Sequence, residues 1–192
     1  MKNKKIILLL SSLIVSSCAS APTDKVENSY SIYDIKTDSV KLKSISDAIV
    51  NGFKKETSHV SIQADIPPYP LPKEPARFTL EQPKLKGNLA AFIPQMPKRP
   101  VCKNSVLTIN AANTGMSSYG ENINFFSCLI PYVGGYRLNF YTTYTANSGG
   151  IGTLLAQSVV GNESQFIPKT INAVVNNIKS LGVTTTKVDA YP

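Results

Sequence analysis

Residues 122–145 read NINFFSCLIPYVGGYRLNFYTTYT, and this stretch decides the fold class. Aromatic and β-branched residues, which are enriched in strands, fill the two runs 122–132 and 136–145. Gly134 and Gly135 lie between the runs and tolerate the positive φ that a two-residue hairpin turn requires. The stretch therefore predicts a β-hairpin.

A turn at Gly134 and Gly135 also fixes which residues lie opposite each other. The predicted pairs share one face and are all apolar: Val133 with Tyr136, Pro131 with Leu138, Leu129 with Phe140, and Phe125 with Tyr144. This face should pack on a core. Pro131 lacks a donor for the sheet ladder, so we expect an edge or a bulge there. Tyr141 lies on the opposite face and is a candidate for lining a groove.

Two further segments read as strand, helix and strand. In the first, residues 29–36 are rich in Tyr and Ile, residues 42–53 place apolar side chains at helical spacing, and residues 58–66 alternate between apolar and polar. This order predicts a βαβ unit. We also expect a strand at residues 105–110 and a short edge strand at residues 76–80.

The second unit lies at the end of the sequence. An apolar stripe predicts a helix over residues 168–181, with Pro168 in its first turn and Gly182 just after its end. The Thr-rich residues 183–190 predict the following strand, and a short helix is expected at residues 153–160. Both units have the same order, which leaves two interpretations open, a duplicated half or two unrelated units.

These elements predict an α+β fold. We expect a mostly antiparallel sheet of five to seven strands with two main amphipathic helices on one face, and two βαβ-like units separated by a proline-rich segment. That segment is residues 67–100, which hold nine of the chain's thirteen prolines. Proline lacks the backbone donor that helices and central strands need, so the segment should be extended or looped.

The first residues have the pattern of an export signal. Three lysines precede the apolar run at residues 6–15, and small residues follow it. The run is too short to cross a bilayer, which takes about 20 residues. Cys18 follows Ser16 and Ser17 at the end of this run.

The sequence Val15-Ser16-Ser17-Cys18 resembles the lipobox of bacterial lipoproteins, an aliphatic residue and two small residues before a cysteine. The resemblance covers only the first 18 residues. It implies cleavage between Ser17 and Cys18, lipidation of Cys18 and a membrane anchor. Ala19, where an Asp would favour inner-membrane retention, implies the outer membrane of a Gram-negative cell, facing the periplasm, or the cell membrane in a Gram-positive organism. An ordinary signal peptide is the alternative.

The domain organisation follows from this. Residues 1–17 are a cleaved signal, residues 18–28 a lipidated tether, and residues 29–192 a single domain. Removing the signal lowers the net charge from +8 to +5 and leaves a local excess of basic residues between 67 and 103. Cys102 and Cys128 then remain, and an even pair in an exported chain favours a disulfide, with two buried thiols as the alternative.

Few residues are suited to catalysis. His59 is the single histidine and lies on the polar face of a predicted strand, which is typical of a solvated residue. The glycines at 149–152 lack the lysine of a P-loop, so a flexible connection is the simpler interpretation. We expect no catalytic residue, no metal and no cofactor. The better candidates for contacting an anionic partner are four cations of the proline-rich segment, with a solvated loop as the alternative. They are Lys84, Lys86, Lys98 and Arg99.

These observations lead to three functional hypotheses. The first is a non-enzymatic lipoprotein that binds an envelope protein as an assembly, transport or secretion accessory. The second is a carrier of a lipid or other hydrophobic small molecule, held between sheet and helices. A cell-envelope enzyme is the third, and the compartment disfavours nucleic acid as a partner.

Overall fold

The computed structural model describes residues 25–37, 40–84, 87, 96–113, 122–146 and 163–191. These described residues form two helices and eight strands. In chain order these are β1 (Lys25–Lys36), α1 (Leu42–Glu56), β2 (His59–Ala64), β3 (Thr79–Glu81), β4 (Arg99–Val101), β5 (Leu107–Asn113), β6 (Ile123–Tyr132), β7 (Gly135–Ala146), α2 (Glu163–Lys179) and β8 (Thr184–Tyr191).

Six strands form one sheet in the order β2-β5-β6-β7-β1-β8, and every neighbouring pair is antiparallel. β3 and β4 form a separate two-stranded ribbon. The α+β class, the antiparallel sheet and the two main helices predicted from the sequence are confirmed. The strands β1 and β8 lie at the predicted positions, but β1 begins at Lys25, four residues before the predicted strand, and pairs there with the end of β7.

The two βαβ-like units are present, but the two strands of each unit are not neighbours in the sheet. β1 and β2 run in the same direction, but β7, β6 and β5 lie between them in the sheet. β7 and β8 also run in the same direction, with only β1 between them. The two crossovers therefore span different numbers of strands, and this topology does not support a duplicated half.

The hairpin is confirmed, but its register differs from the prediction by two residues. Tyr132 lies opposite Gly135 and Leu129 opposite Leu138, so the turn consists of Val133 and Gly134. Gly134 has φ +90°, whereas Val133 lies outside the positive-φ region, the combination of signs found in a type II turn. A shift of two residues keeps every side chain on its predicted face.

Pro131 lies at a position in β6 where no residue of β5 needs a backbone N–H donor. It lies in β6, an interior strand, but pairing of β6 with β5 ends at Leu129. The last residues of β6 are thus an edge on that side. The expectation of an edge at Pro131 is correct locally, although the strand as a whole is central.

The core lies between one face of the sheet and the two helices. The predicted stripes supply it, with Ile45, Ile49 and Phe53 from α1 and Val174 and Ile178 from α2 all fully buried. α2 begins at Glu163, five residues before Pro168, so the expectation of this proline in the first turn was wrong. Gly182 follows the helix with φ +79°, as predicted.

Candidate functional site

The sheet face opposite the helices, here called the open face, is partly covered by the described residues of the proline-rich segment. Phe78 packs edge-on against Tyr30 and Tyr141, with ring centroids 5.6 and 5.4 Å away. Arg77 Nη2 forms an ion pair with Asp189 at 2.7 Å. The backbone N–H of Val133 donates to the carbonyl of residue 72 at 2.9 Å. These contacts make the described part of the segment a third layer of the fold.

The return of the segment to the sheet is fixed covalently. Cys102 follows β4 directly and is bonded to Cys128 of β6, as the sequence predicted. Cys128 is 1% exposed and its side chain lies on the open face, next to the aromatic residues of β6 and β7. The bond therefore holds β4 over the sheet.

A groove of about 550 Å³ lies between residues 97–100 and the open face. Five strands contribute to its floor, each from the same end of the sheet: the starts of β1, β2 and β6 and the ends of β5 and β7. Its volume falls in the range of about 300–1,000 Å³ typical of small-molecule sites.

The floor of the groove is largely apolar. Phe126 and Tyr141 lie opposite each other on β6 and β7, and Ala112 of β5 is adjacent. Pro97 and Pro100 face them from the proline-rich segment. Prolines and aromatic rings present no charge to an occupant, so this surface suits an apolar group.

The rim of the groove is polar and positively charged. Lys98 and Arg99 are exposed, and His59 and Asn124 are exposed beside them. Neither Lys98 nor Arg99 forms an ion pair with any other described residue, although Glu81 lies opposite Arg99 across the β3–β4 ribbon. The described lining of the groove contains no Asp or Glu. The rim therefore carries a positive charge that an anion would neutralise.

Tyr141 is 7% exposed, yet its ring contributes to the groove. Burial raises the pKa of its phenol above the usual value of 10.0. The prediction that Tyr141 faces away from the core and lines a groove is confirmed. Tyr136 and Tyr144 pack against the core and Phe140 is buried within it, as expected.

A polar cluster occupies the other end of the open face. Asp34 accepts a hydrogen bond from the Tyr132 hydroxyl at 2.7 Å and lies 3.4 Å from Lys36 Nζ and 3.5 Å from Arg137 Nε. Lys36 also donates to Tyr132 at 2.6 Å, which raises the pKa of Lys36, while burial raises that of Tyr132. Asp34 is thus a single carboxylate between two cations, and Arg137 Nε, although 3.5 Å from it, has no hydrogen-bond partner among the described residues.

The structure brings together only some of the residues singled out in the sequence. Lys98, Arg99, His59 and Tyr141 meet at the groove, whereas Lys84 is exposed and does not line it. Other predictions lie outside the described residues: Ser17, Cys18, Lys86, the glycines at 149–152 and the short helix at 153–160.

Sequence reasoning missed Phe78 and Phe126. Phe126 had an available signal, because it alternates with Phe125 along β6 and so must face away from the core. Phe78 lies within the short strand predicted at residues 76–80, but nothing in the sequence indicates which side of that strand contacts the sheet.

Neither helix in the described part of the chain has the length and apolar content needed to cross a bilayer. Across the same residues, no three His, Cys, Asp or Glu side chains are grouped so that they could hold a metal ion. No protein-family model matches the chain, and neither the curated proteins nor the solved structures include a significant match.

Proposed function

We propose that the protein is a non-enzymatic lipoprotein of the bacterial cell envelope that binds an apolar molecule in the groove. The observation that carries this proposal is the groove itself, with an apolar floor on the open face and a covering segment held by the Cys102–Cys128 bond. The groove lies on the face opposite the one expected from the sequence, because the helices pack tightly on the other face.

Binding suits the described groove better than catalysis. His59 and Ser61 both line it, but no hydrogen bond joins their side chains. No carboxylate among the described lining residues is placed to orient the imidazole, as an acid–base triad requires.

Photocrosslinking in cells tests the binding site. A photoreactive phenylalanine analogue replaces Asn124 at the groove, and in a matched control it replaces Asn51, an exposed asparagine of α1 on the helix side. We expect an adduct at position 124 and none at position 51. The proposal fails if position 124 yields no adduct or if both positions yield the same one.

The membrane anchor is tested separately. Globomycin blocks cleavage of lipoprotein signals, so it should cause the precursor with Ser17 and Cys18 still joined to accumulate. Unchanged processing would contradict lipidation at Cys18.

A protein partner is the second candidate, and exposed basic residues favour it. Lys73, Lys84 and Lys103 lie in or beside the proline-rich segment and are exposed. Affinity purification after crosslinking compares wild type with a variant in which Lys84, Lys86, Lys98 and Arg99 become Ser. Equal recovery of the same partners would rule out recognition through these cations.

A further inference from the structure

The position of the groove in the fold relates it to the anchor. Every strand that contributes to the floor does so at the end of the sheet where β1 begins. Val26 of β1 lines the groove and lies only eight residues after Cys18. A fully extended chain spans at most about 3.3–3.6 Å per residue, so Val26 lies within about 29 Å of an anchored Cys18. In a protein anchored through Cys18, this end of the sheet is therefore the one nearest to the anchor along the chain.

The direction of the groove suits a linear occupant. It crosses β2, β5, β6, β7 and β1, which are consecutive in the sheet. Neighbouring strands lie about 4.8 Å apart, so the five span roughly 19 Å. An unbranched chain can lie across them beneath residues 97–100, in contact with Phe126 and Tyr141 along its length.

The charge at the rim indicates what ends this chain. Lys98 and Arg99 are adjacent cations without an ion pair among the described residues, and His59 is the other ionisable side chain on the rim. An anionic group is attracted by both cations, whereas a neutral group forms an ion pair with neither.

We propose that the groove binds a single acyl chain of an anionic amphiphile drawn from the bilayer, with the chain across the sheet and the anionic group at Lys98 and Arg99. This inference rests on the proposed binding function and specifies its ligand. The anchor holds the groove against the surface that supplies such molecules, and the apolar floor replaces the hydrocarbon that the chain leaves.

The test uses the full-length lipidated protein reconstituted in phosphatidylcholine vesicles. The vesicles contain a small fraction of hexadecanoic acid with a photoactivatable diazirine in its chain, or the corresponding neutral alcohol. After illumination and reduction, mass spectrometry measures the label on the tryptic peptide of residues 104–137, which includes Phe126.

One double variant and a matched control isolate the rim charge. Lys98→Gln with Arg99→Gln removes the two rim cations. Lys54→Gln with Lys55→Gln removes two adjacent cations that are also exposed, at the end of α1 beside β2, but outside the groove. Both double variants carry the same net charge, so a general loss of attraction to the vesicle affects them equally.

We expect the acid to label residues 104–137 in wild type and in the Lys54/Lys55 control, and about tenfold less in the Lys98/Arg99 variant, as two partly screened ion pairs would give. The alcohol should label wild type weakly, and the extent of its labelling should be the same in both double variants. In a series of shorter acids, each methylene removed should change labelling far less than the roughly fourfold expected for transfer from water, because the chain passes from bilayer hydrocarbon to an apolar floor.

Equal labelling by acid and alcohol, or no loss in the Lys98/Arg99 variant, would overturn the inference. Absence of label on residues 104–137 would also overturn it. In that case an adduct at position 124 in cells would show that the groove binds another molecule and that the proposed function stands. Absence of both would reject the function as well.

Discussion

Cys102, two residues after the proline-rich segment, is bonded to Cys128 near the middle of β6. Cys102 directly follows β4, the strand that covers the groove. Cys128 belongs to β6, one of the strands that form the floor of the groove. The bond thus joins cover and floor. Groove geometry and overall stability both depend on it.

Removal of this bond should destabilise the fold substantially. The two cysteines are 26 residues apart, and closing a loop of that length stabilises a protein by about 3.5 kcal/mol in the chain-entropy model. We expect the Cys102→Ala, Cys128→Ala variant to lose about that much free energy of unfolding in urea. Wild type measured in reductant is the control, and its free energy of unfolding should be close to that of the variant. Equal stability of oxidised wild type and the variant would contradict this role.

Phe78 should hold the proline-rich segment on the sheet, because its ring contacts both Tyr30 and Tyr141. Each aromatic pair contributes about 0.5–1.5 kcal/mol beyond burial. In Phe78→Ala we expect faster tryptic cleavage at Lys73, Arg77 and Lys84 under native conditions.

Tyr69→Ala is the matched control for this experiment, since Tyr69 lies in the same segment and is 100% exposed. It should leave the cleavage rate unchanged. Similar cleavage of the two variants would show that Phe78 does not hold the segment.

Gly52 lies where α1 packs closely against α2. A Cβ at this position would lie 2.6 Å from the backbone Cα of Val174, where α1 packs on α2. Gly52→Ala should therefore lower the free energy of unfolding by about 1–3 kcal/mol, although alanine is the better helix former by about 1 kcal/mol. Asn51→Ala, on the exposed side of α1, should be neutral or slightly stabilising in the same urea titration. Equal effects would contradict the close packing.

Stability should fall at alkaline pH. Burial raises the pKa of Tyr33, Tyr136 and Tyr141 above 10.0. The unfolded chain ionises near the usual value of about 10, where the folded chain keeps these protons, so the free energy of unfolding decreases as pH rises above about 10. Urea unfolding at several pH values measures this decrease.

Tyr141→Phe removes one of these phenols and should make the decrease shallower. Tyr69→Phe, at a fully exposed ring, should leave it unchanged. The same slope in both variants would show that burial of Tyr141 does not contribute to the pH dependence.

The sequence predicted the parts of the fold that follow from periodicity. Phe125, Leu129, Leu138 and Phe140 lie on the core face as expected, because alternation along a strand is set by the backbone alone. The register was wrong by two residues, since Gly134-Gly135 looks like the turn while Gly135 belongs to β7.

The order of the strands and the packing of the proline-rich segment could not be predicted from the sequence. The order of strands depends on which edges the crossovers reach, and no local pattern encodes that β1 lies between β7 and β8. The groove depends on the described residues of the proline-rich segment packing on the open face, through single contacts such as that of Phe78. Lys98 and Arg99 were identified from charge, but His59 and Tyr141 join them only in the folded chain.

The central claim is that the groove on the open face holds a ligand. The most direct measurement is mass spectrometry of organic extracts from the chain beginning at residue 19, exported without a lipid and containing every described strand and helix. Its variant Ala112→Phe places a ring in the groove, and Ala64→Phe is the control on an exposed position of β2. We predict a bound acyl compound with wild type and the control, and its loss with Ala112→Phe. An empty wild-type protein, or the same compound with all three, would contradict the account.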